Sequence, residues 1–139
     1  MSTIADRLAR VWTRITQAAI AAGRDPASIK LLAVSKTHPV AELEAALSAG
    51  QFAFGESYLQ DALPKIEVIA NRAEWHFIGP IQSNKTRQIA ANFDWVHSVD
   101  RIKIAQRLNE QRPKELTPLN VCLQVLSLIH ISEPTRPTT

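Results

Sequence analysis

Leu31-Leu32-Ala33-Val34-Ser35-Lys36, followed by Thr37-His38-Pro39, is the stretch whose reading decides the fold. A continuous apolar run of this length, ending on a lysine and turning at once toward a helix, suits a strand buried on both faces, as in a parallel sheet. Lys36 then stands at the carboxyl end of that strand, where α/β barrels and open α/β sheets collect their ligands. On residue type alone, a strand-ending lysine is simply one that carries its amine out to solvent. Its standing as a functional group depends on the rest of the chain.

Working outward, the pattern repeats. Residues 3 to 22 have the spacing of an amphipathic helix, with Ile4, Leu8, Val11, Trp12, Ile15 and Ala19 on one face. Thr3 and Asp6 resemble a capping box, and Gly23 is a stop signal. A helix ahead of the first strand is outside a strand-first repeat, so it is expected to add a covering layer. Pro39 suits the start of a helix capped by Thr37 or His38 and ending at Gly50. Phe52-Ala53-Phe54 reads as the second strand, with Gly55-Glu56-Ser57 turning into the next helix, which Pro64 is expected to restart. Trp75-His76-Phe77-Ile78 reads as the third strand, closed by Gly79-Pro80, and Ser83 as the cap of a helix. Trp95-Val96-His97-Ser98 is the fourth strand, Asp100 opens a helix, and Leu119 to Val125 is the fifth strand.

These strands start at intervals of 21, 23, 20 and 24 residues. A strand-then-helix unit at near-constant spacing is the mark of a parallel α/β architecture. No Gly-x-Gly-x-x-Gly follows a strand, which argues against a dinucleotide-binding sheet. Even units without a topological switch predict a (β/α)8 TIM barrel, of which about five of the eight units are present.

The 139 residues, 45% of them hydrophobic, are enough for one modest domain. No apolar run is long enough to span a bilayer, and no basic-then-apolar leader opens the chain. Cys122 is the single cysteine, which fits a reducing, cytoplasmic setting. The net charge of +3 is mild, and Lys85, Arg87, Arg101, Lys103, Arg107 and Arg112 form no single stripe. A solvated face explains them, so neither nucleic acid nor membrane is an expected partner.

No zinc motif, Walker loop, nucleophile elbow or carboxylate pair at fixed spacing is present. The residues left to carry chemistry follow strand ends: Ser35-Lys36-Thr37, Phe54-Gly55-Glu56-Ser57-Tyr58, and His76 through Lys85. A lysine desolvated in a barrel mouth holds a fraction of neutral amine, the form that attacks an aldehyde to make a Schiff base. For His76, a satisfied core histidine and a ligand-facing group both stay open. Asn84 either orients a ligand or shapes its turn, and the helix start at Ser83-Asn84 is a fallback anion site.

Three segments in order, Leu31 to Lys36, Phe54-Gly55-Glu56-Ser57-Tyr58-Leu59-Gln60 and Trp75 to Lys85, closely resemble the pyridoxal phosphate homeostasis (YggS/PROSC) family. The likeness runs from the N-terminal helix through Val125 and includes Asp94-Trp95-Val96-His97-Ser98-Val99-Asp100-Arg101. The resemblance implies a barrel like the N-terminal domain of alanine racemase, with pyridoxal 5'-phosphate held as a Schiff base on Lys36. It implies Ser35, Ser57, His76 and Asn84 as further cofactor-binding residues, Ser57 standing where the family more often has Asn. It also implies a non-catalytic carrier that serves pyridoxal phosphate-dependent apo-enzymes and is a monomer when intact. The alternatives are a racemase or decarboxylase, which needs a second acid/base across the cofactor, and a truncated fragment without function.

The expected division is an incomplete barrel over 1–125 and a tail over 126–139, whose Ser-Leu-Ile-His-Ile-Ser-Glu-Pro-Thr-Arg-Pro string looks like translated sequencing-adapter read-through. His130 accordingly carries no expected role. The loops after strands seven and eight, which hold the cofactor phosphate in the family, lie past the fifth unit. The chain as written is therefore expected to fold poorly and to bind the cofactor weakly.

Overall fold

The computed structural model describes residues 2–125, so the expectations for 126–139, His130 among them, lie outside the described residues. Helix α1 spans Ile4–Ala21 and is closed by the expected capping box: Thr3 Oγ1 accepts from the Asp6 amide at 3.1 Å, and the Thr3 amide donates to Asp6 Oδ2 at 3.1 Å. Gly23 takes φ +72°, the left-handed stop that a side chain resists. Strand β1 is Ala33–Val34, α2 Val40–Ser48, β2 Ala53–Glu56, α3 Leu59–Ile69 and β3 Glu74–Phe77. After a 3-10 turn at Ser83–Lys85 come α4 at Thr86–Asn92, β4 at Trp95–Val99, α5 at Ile102–Gln111 and β5 at Asn120–Leu123.

The strand order is chain order, β1-β2-β3-β4-β5. β1 pairs with β2 in parallel, with Ala33 opposite Phe54 and Val34 opposite Gly55. β4 pairs with β5 in parallel, Trp95 opposite Asn120, with an irregularity between Val96 and Val99. Strands that neighbour one another in sequence order, the first four each followed by a helix, have no switch point, as the repeat spacing predicted.

The chain divides into two compact units, one ending at His76 and the other starting at Phe77. In the first, Leu43, Phe54, Leu59, Ile69 and Trp75 are buried, with the Phe54 and Trp75 rings 5.8 Å apart. α1 packs on α2. In the second unit the Phe77 and Phe93 rings meet edge to face at 5.2 Å among Ile89, Val96, Ile104 and Leu108. Arg112 ties this unit's loops, donating to the carbonyls of Ala90 and Phe93 at 2.7 and 2.6 Å and to that of Thr117.

Several local expectations are corrected. The first strand is two residues rather than six, and Val34 is 50% exposed rather than buried. Among the described residues β1 is the first strand in the sheet order and has one neighbouring strand, β2. Neither Thr37 nor His38 caps α2; Pro39 holds that position without a side-chain hydrogen bond. Ser83 caps no helix, and Asp100 gives way to Arg101 as the residue before α5.

Pro64 does not restart a helix but sits inside an uninterrupted α3. The carbonyl it leaves without an intrahelical donor belongs to exposed Gln60 at the helix start, where solvent replaces the missing amide. Pro64 is itself exposed, so Pro64→Ala restores that bond with little loss of packing. The expected gain is up to about 3 kcal/mol, read as a higher urea midpoint at unchanged slope; a lower midpoint would show that the proline stabilises α3 where it stands.

Candidate functional site

Ser35, Lys36, Thr37 and His38 form a tight turn at the end of β1, closed by the His38 amide on the Ser35 carbonyl at 3.0 Å. Thr37 has φ +68°, whereas Lys36 is not among the residues with positive φ. A positive φ at the third residue alone defines a type II turn, a place that glycine or asparagine normally takes. A β-branched residue there costs on the order of 1–3 kcal/mol and persists only where its surroundings enforce it.

The turn is anchored from α3, directly and through Asp61, by Lys65. Its ammonium is buried, at 4% exposure, and donates to the Ser35 carbonyl at 2.9 Å, Glu56 Oε1 and Oε2 at 3.2 and 3.1 Å, and Asp61 Oδ2 at 2.9 Å. The same Asp61 oxygen accepts the Thr37 amide at 3.1 Å. Glu56, fully buried at the end of β2, also accepts the Ser35 hydroxyl, and the Thr37 hydroxyl closes onto the Lys36 carbonyl. Both ends of the lysine turn thus converge on one ammonium.

Sequence explains why these groups meet. Phe54 packs on Trp75, so alternation along β2 puts Glu56 on the same, helix-covered side. Asp61 and Lys65 are four residues apart on α3, with the acid nearer the N-terminus, the favourable order for a helical pair. The Lys65 hydrogen bond, and then the Thr37 amide, hold the Asp61 carboxyl below the usual range against a smaller opposing effect of burial.

Lys36 itself is exposed, which corrects the expected desolvated amine: its turn crowns an edge strand rather than a closed mouth. Ser35 is buried and serves the network beneath the turn. Ser57 is half-buried at the bend after β2. Since Val34 and Gly55 are register partners, Lys36 and Ser57 each stand two residues beyond that pair, at adjacent strand ends. His76 is buried on β3, its Nε2 2.7 Å from Glu74 Oε1. Glu74 also takes an ion pair from Lys30, which precedes β1. Burial works to raise the Glu74 carboxyl, but the Lys30 and His76 hydrogen bonds outweigh it and the net shift is downward. His76 is therefore tied toward the amino ends of the strands, as a satisfied core histidine would be. Asn84 is exposed in the 3-10 turn of the second unit, and α4 has seven residues, so the fallback anion site at Ser83-Asn84 is not built.

Glu56, Asp61 and Lys65 were given no role by sequence reasoning. The Asp61–Lys65 spacing was visible as a helical pair, but a pair at that spacing is ordinarily solvated, and burial of Lys65 shows only in the fold. Lys65→Met leaves Glu56 buried without its counter-charge and should cost about 3–5 kcal/mol. Adding Glu56→Met should recover most of that in urea unfolding; no recovery would mean the ion pair is not what the site needs. The lowered Asp61 carboxyl contributes stability above the ordinary carboxylate range, lost as pH falls through its folded value. Asp61→Asn should therefore flatten the acid limb of the stability–pH curve, and an unchanged limb would count against the Asp61–Lys65 bond.

Residues 6–130 match the family model for the alanine racemase N-terminal domain. Among curated proteins, the chain is 65% identical over 126 residues to the pyridoxal phosphate homeostasis protein of Pseudomonas aeruginosa, covering 90% of this chain and 55% of that one. It is 52% identical over 129 residues to the protein of the same name in Escherichia coli K12, again covering 90% and 55%. Among solved structures, PipY of Synechococcus elongatus PCC7942 with PLP bound matches at TM-score 0.75 and 38% identity, over 91% of this chain and 56% of that one. The chain spans about half the length of the curated relatives it matches.

Proposed function

Because the chain belongs to the family of the alanine racemase N-terminal domain, we propose that it carries the lysine half of a pyridoxal phosphate-binding site, with a role in homeostasis of that cofactor rather than in catalysis. The single observation that carries this reading is Lys36: an exposed primary amine on an enforced turn at the carboxyl end of β1. The names of the relatives and the PLP-bound neighbour support the same ligand.

The residues fit the aldehyde end of the cofactor. Bound pyridoxal phosphate supplies an aldehyde carbon to which a neutral amine can attach covalently. Lys36 offers that amine, and its exposure leaves it open to an incoming molecule. Ser35 supports the turn from below, and Ser57 stands at the next strand end with a hydroxyl that can donate or accept. His76 and Asn84 keep only the role that the family resemblance implies for them: His76 is tied to Glu74, and Asn84 is exposed in its own unit. In this reading residues 1–125 are the barrel part of the chain and 126–139 a separate tail, the setting is cytoplasmic, the intact protein is a monomer, and pyridoxal phosphate-dependent apo-enzymes receive the cofactor. No helix among the described residues is long and apolar enough to cross a membrane, which is compatible with that setting.

The test is capture. The 139-residue chain is incubated with pyridoxal phosphate, reduced with borohydride and mapped by peptide mass. A pyridoxyl group on Lys36, lost in Lys36→Ala and not redistributed to other lysines, is the expected outcome. Labelling spread evenly over surface lysines would remove the proposal.

A further inference from the structure

Buried charges lie directly under the lysine turn. Lys36 is the second residue of a four-residue turn whose first carbonyl and third amide are both held from α3. The Ser35 carbonyl is 2.9 Å from Lys65 Nζ, and the Thr37 amide is 3.1 Å from Asp61 Oδ2, itself 2.9 Å from the same ammonium. Neither Asp61 nor Lys65 carries an amine or hydroxyl to the exposed side where Lys36 stands, so they do not compete with it for an aldehyde.

The arrangement exceeds what packing requires. A buried ion pair by itself is weak evidence for stability, since apolar residues of similar size serve as well. Here Asp61, itself held by the ammonium, also accepts the amide of a left-handed threonine, a conformation the local sequence disfavours. Strain held in place next to a reactive side chain fixes the direction in which that side chain leaves the backbone. A lysine has four rotatable bonds, and holding its base removes the largest of the displacements its amine can make.

We propose that Asp61 and Lys65 are positioning residues for Lys36: they pin both ends of its turn so that the amine is presented to an aldehyde ligand in one orientation. This rests on the reading of Lys36 as the cofactor-attaching lysine. The ligand class is an aromatic aldehyde, and the positioning acts on the aldehyde end, independent of any phosphate contact. The Thr37 amide is the reporter of the device, because its bond to Asp61 is broken whenever the turn opens.

Asp61 is the residue to vary, because its side chain is 41% exposed and its loss leaves the buried Glu56–Lys65 pair in place. Asp61→Ala and Asp61→Asn are made in the full chain, with three readouts: hydrogen exchange at the Thr37 amide without ligand, the thermal midpoint, and the rate of borohydride-trapped labelling at Lys36. The probe is pyridoxal, which has the aldehyde and lacks the phosphate. Asp61→Ala should speed Thr37 exchange and slow Lys36 labelling about tenfold relative to the other lysines, with a small change in midpoint. Asp61→Asn, which keeps an acceptor oxygen for the amide, should restore most of both.

Faster Thr37 exchange with unchanged Lys36 labelling would overturn the proposal, as would labelling that follows the thermal midpoint and is not rescued by asparagine. Unchanged Thr37 exchange would overturn it too, since the turn would then be held by something else. Failure of the parent reading looks different: the unsubstituted chain shows no preference for Lys36 over other lysines, whatever Thr37 does. In that case the positioning proposal falls with it.

Discussion

The Lys65 ammonium is the interaction on which the lysine-bearing end of the structure depends. It sits where an unpaired charge is very costly, and it is tolerated because a carboxylate on β2, a carboxylate on its own helix and a strand-end carbonyl all face it. Those acceptors come from three separate elements. The ion pair therefore fixes how α3 lies against the ends of β1 and β2, something apolar contacts alone specify less sharply. It also ties one residue's backbone to another's charge: the Ser35 carbonyl that starts the turn accepts from the same nitrogen that orients Asp61 for Thr37.

A consequence is a division of labour between the two sides of β1. Ser35 is buried and joins the helix side of the sheet, where Glu56 and Lys65 are; Val34 and Lys36, on either side of it, are exposed. The buried serine that joins the network and the exposed lysine are thereby one residue apart yet on different sides.

The repeat was legible in the sequence because its signals are local. Apolar runs, glycine stops and helical spacing gave five strands in the correct order, each starting within two residues of the expected position. The errors cluster where burial or backbone geometry overrides residue preference. Leu31 to Lys36 looked like a fully buried strand because six apolar-rich residues say nothing about how many neighbours a strand will have. Pro64 looked like a boundary because propensity is blind to whether the freed carbonyl meets solvent. Lys36 drew attention through the resemblance of its segment, but its exposure and the left-handed threonine after it were not legible.

The network beneath was the least legible part, and the reason is physical. Glu56 lay inside a quoted motif and Asp61–Lys65 at helical spacing, but a buried lysine cannot be told from a solvated one by type or position in a helix. What distinguishes Lys65 is convergence: alternation on β2 and the i,i+4 face of α3 bring two carboxylates to one point, and the carbonyl at the end of β1 completes the set. Each of those is a weak signal, and the site exists only at their intersection. A conformation as disfavoured as the Thr37 turn follows from that intersection, because no residue within the turn could hold it there alone.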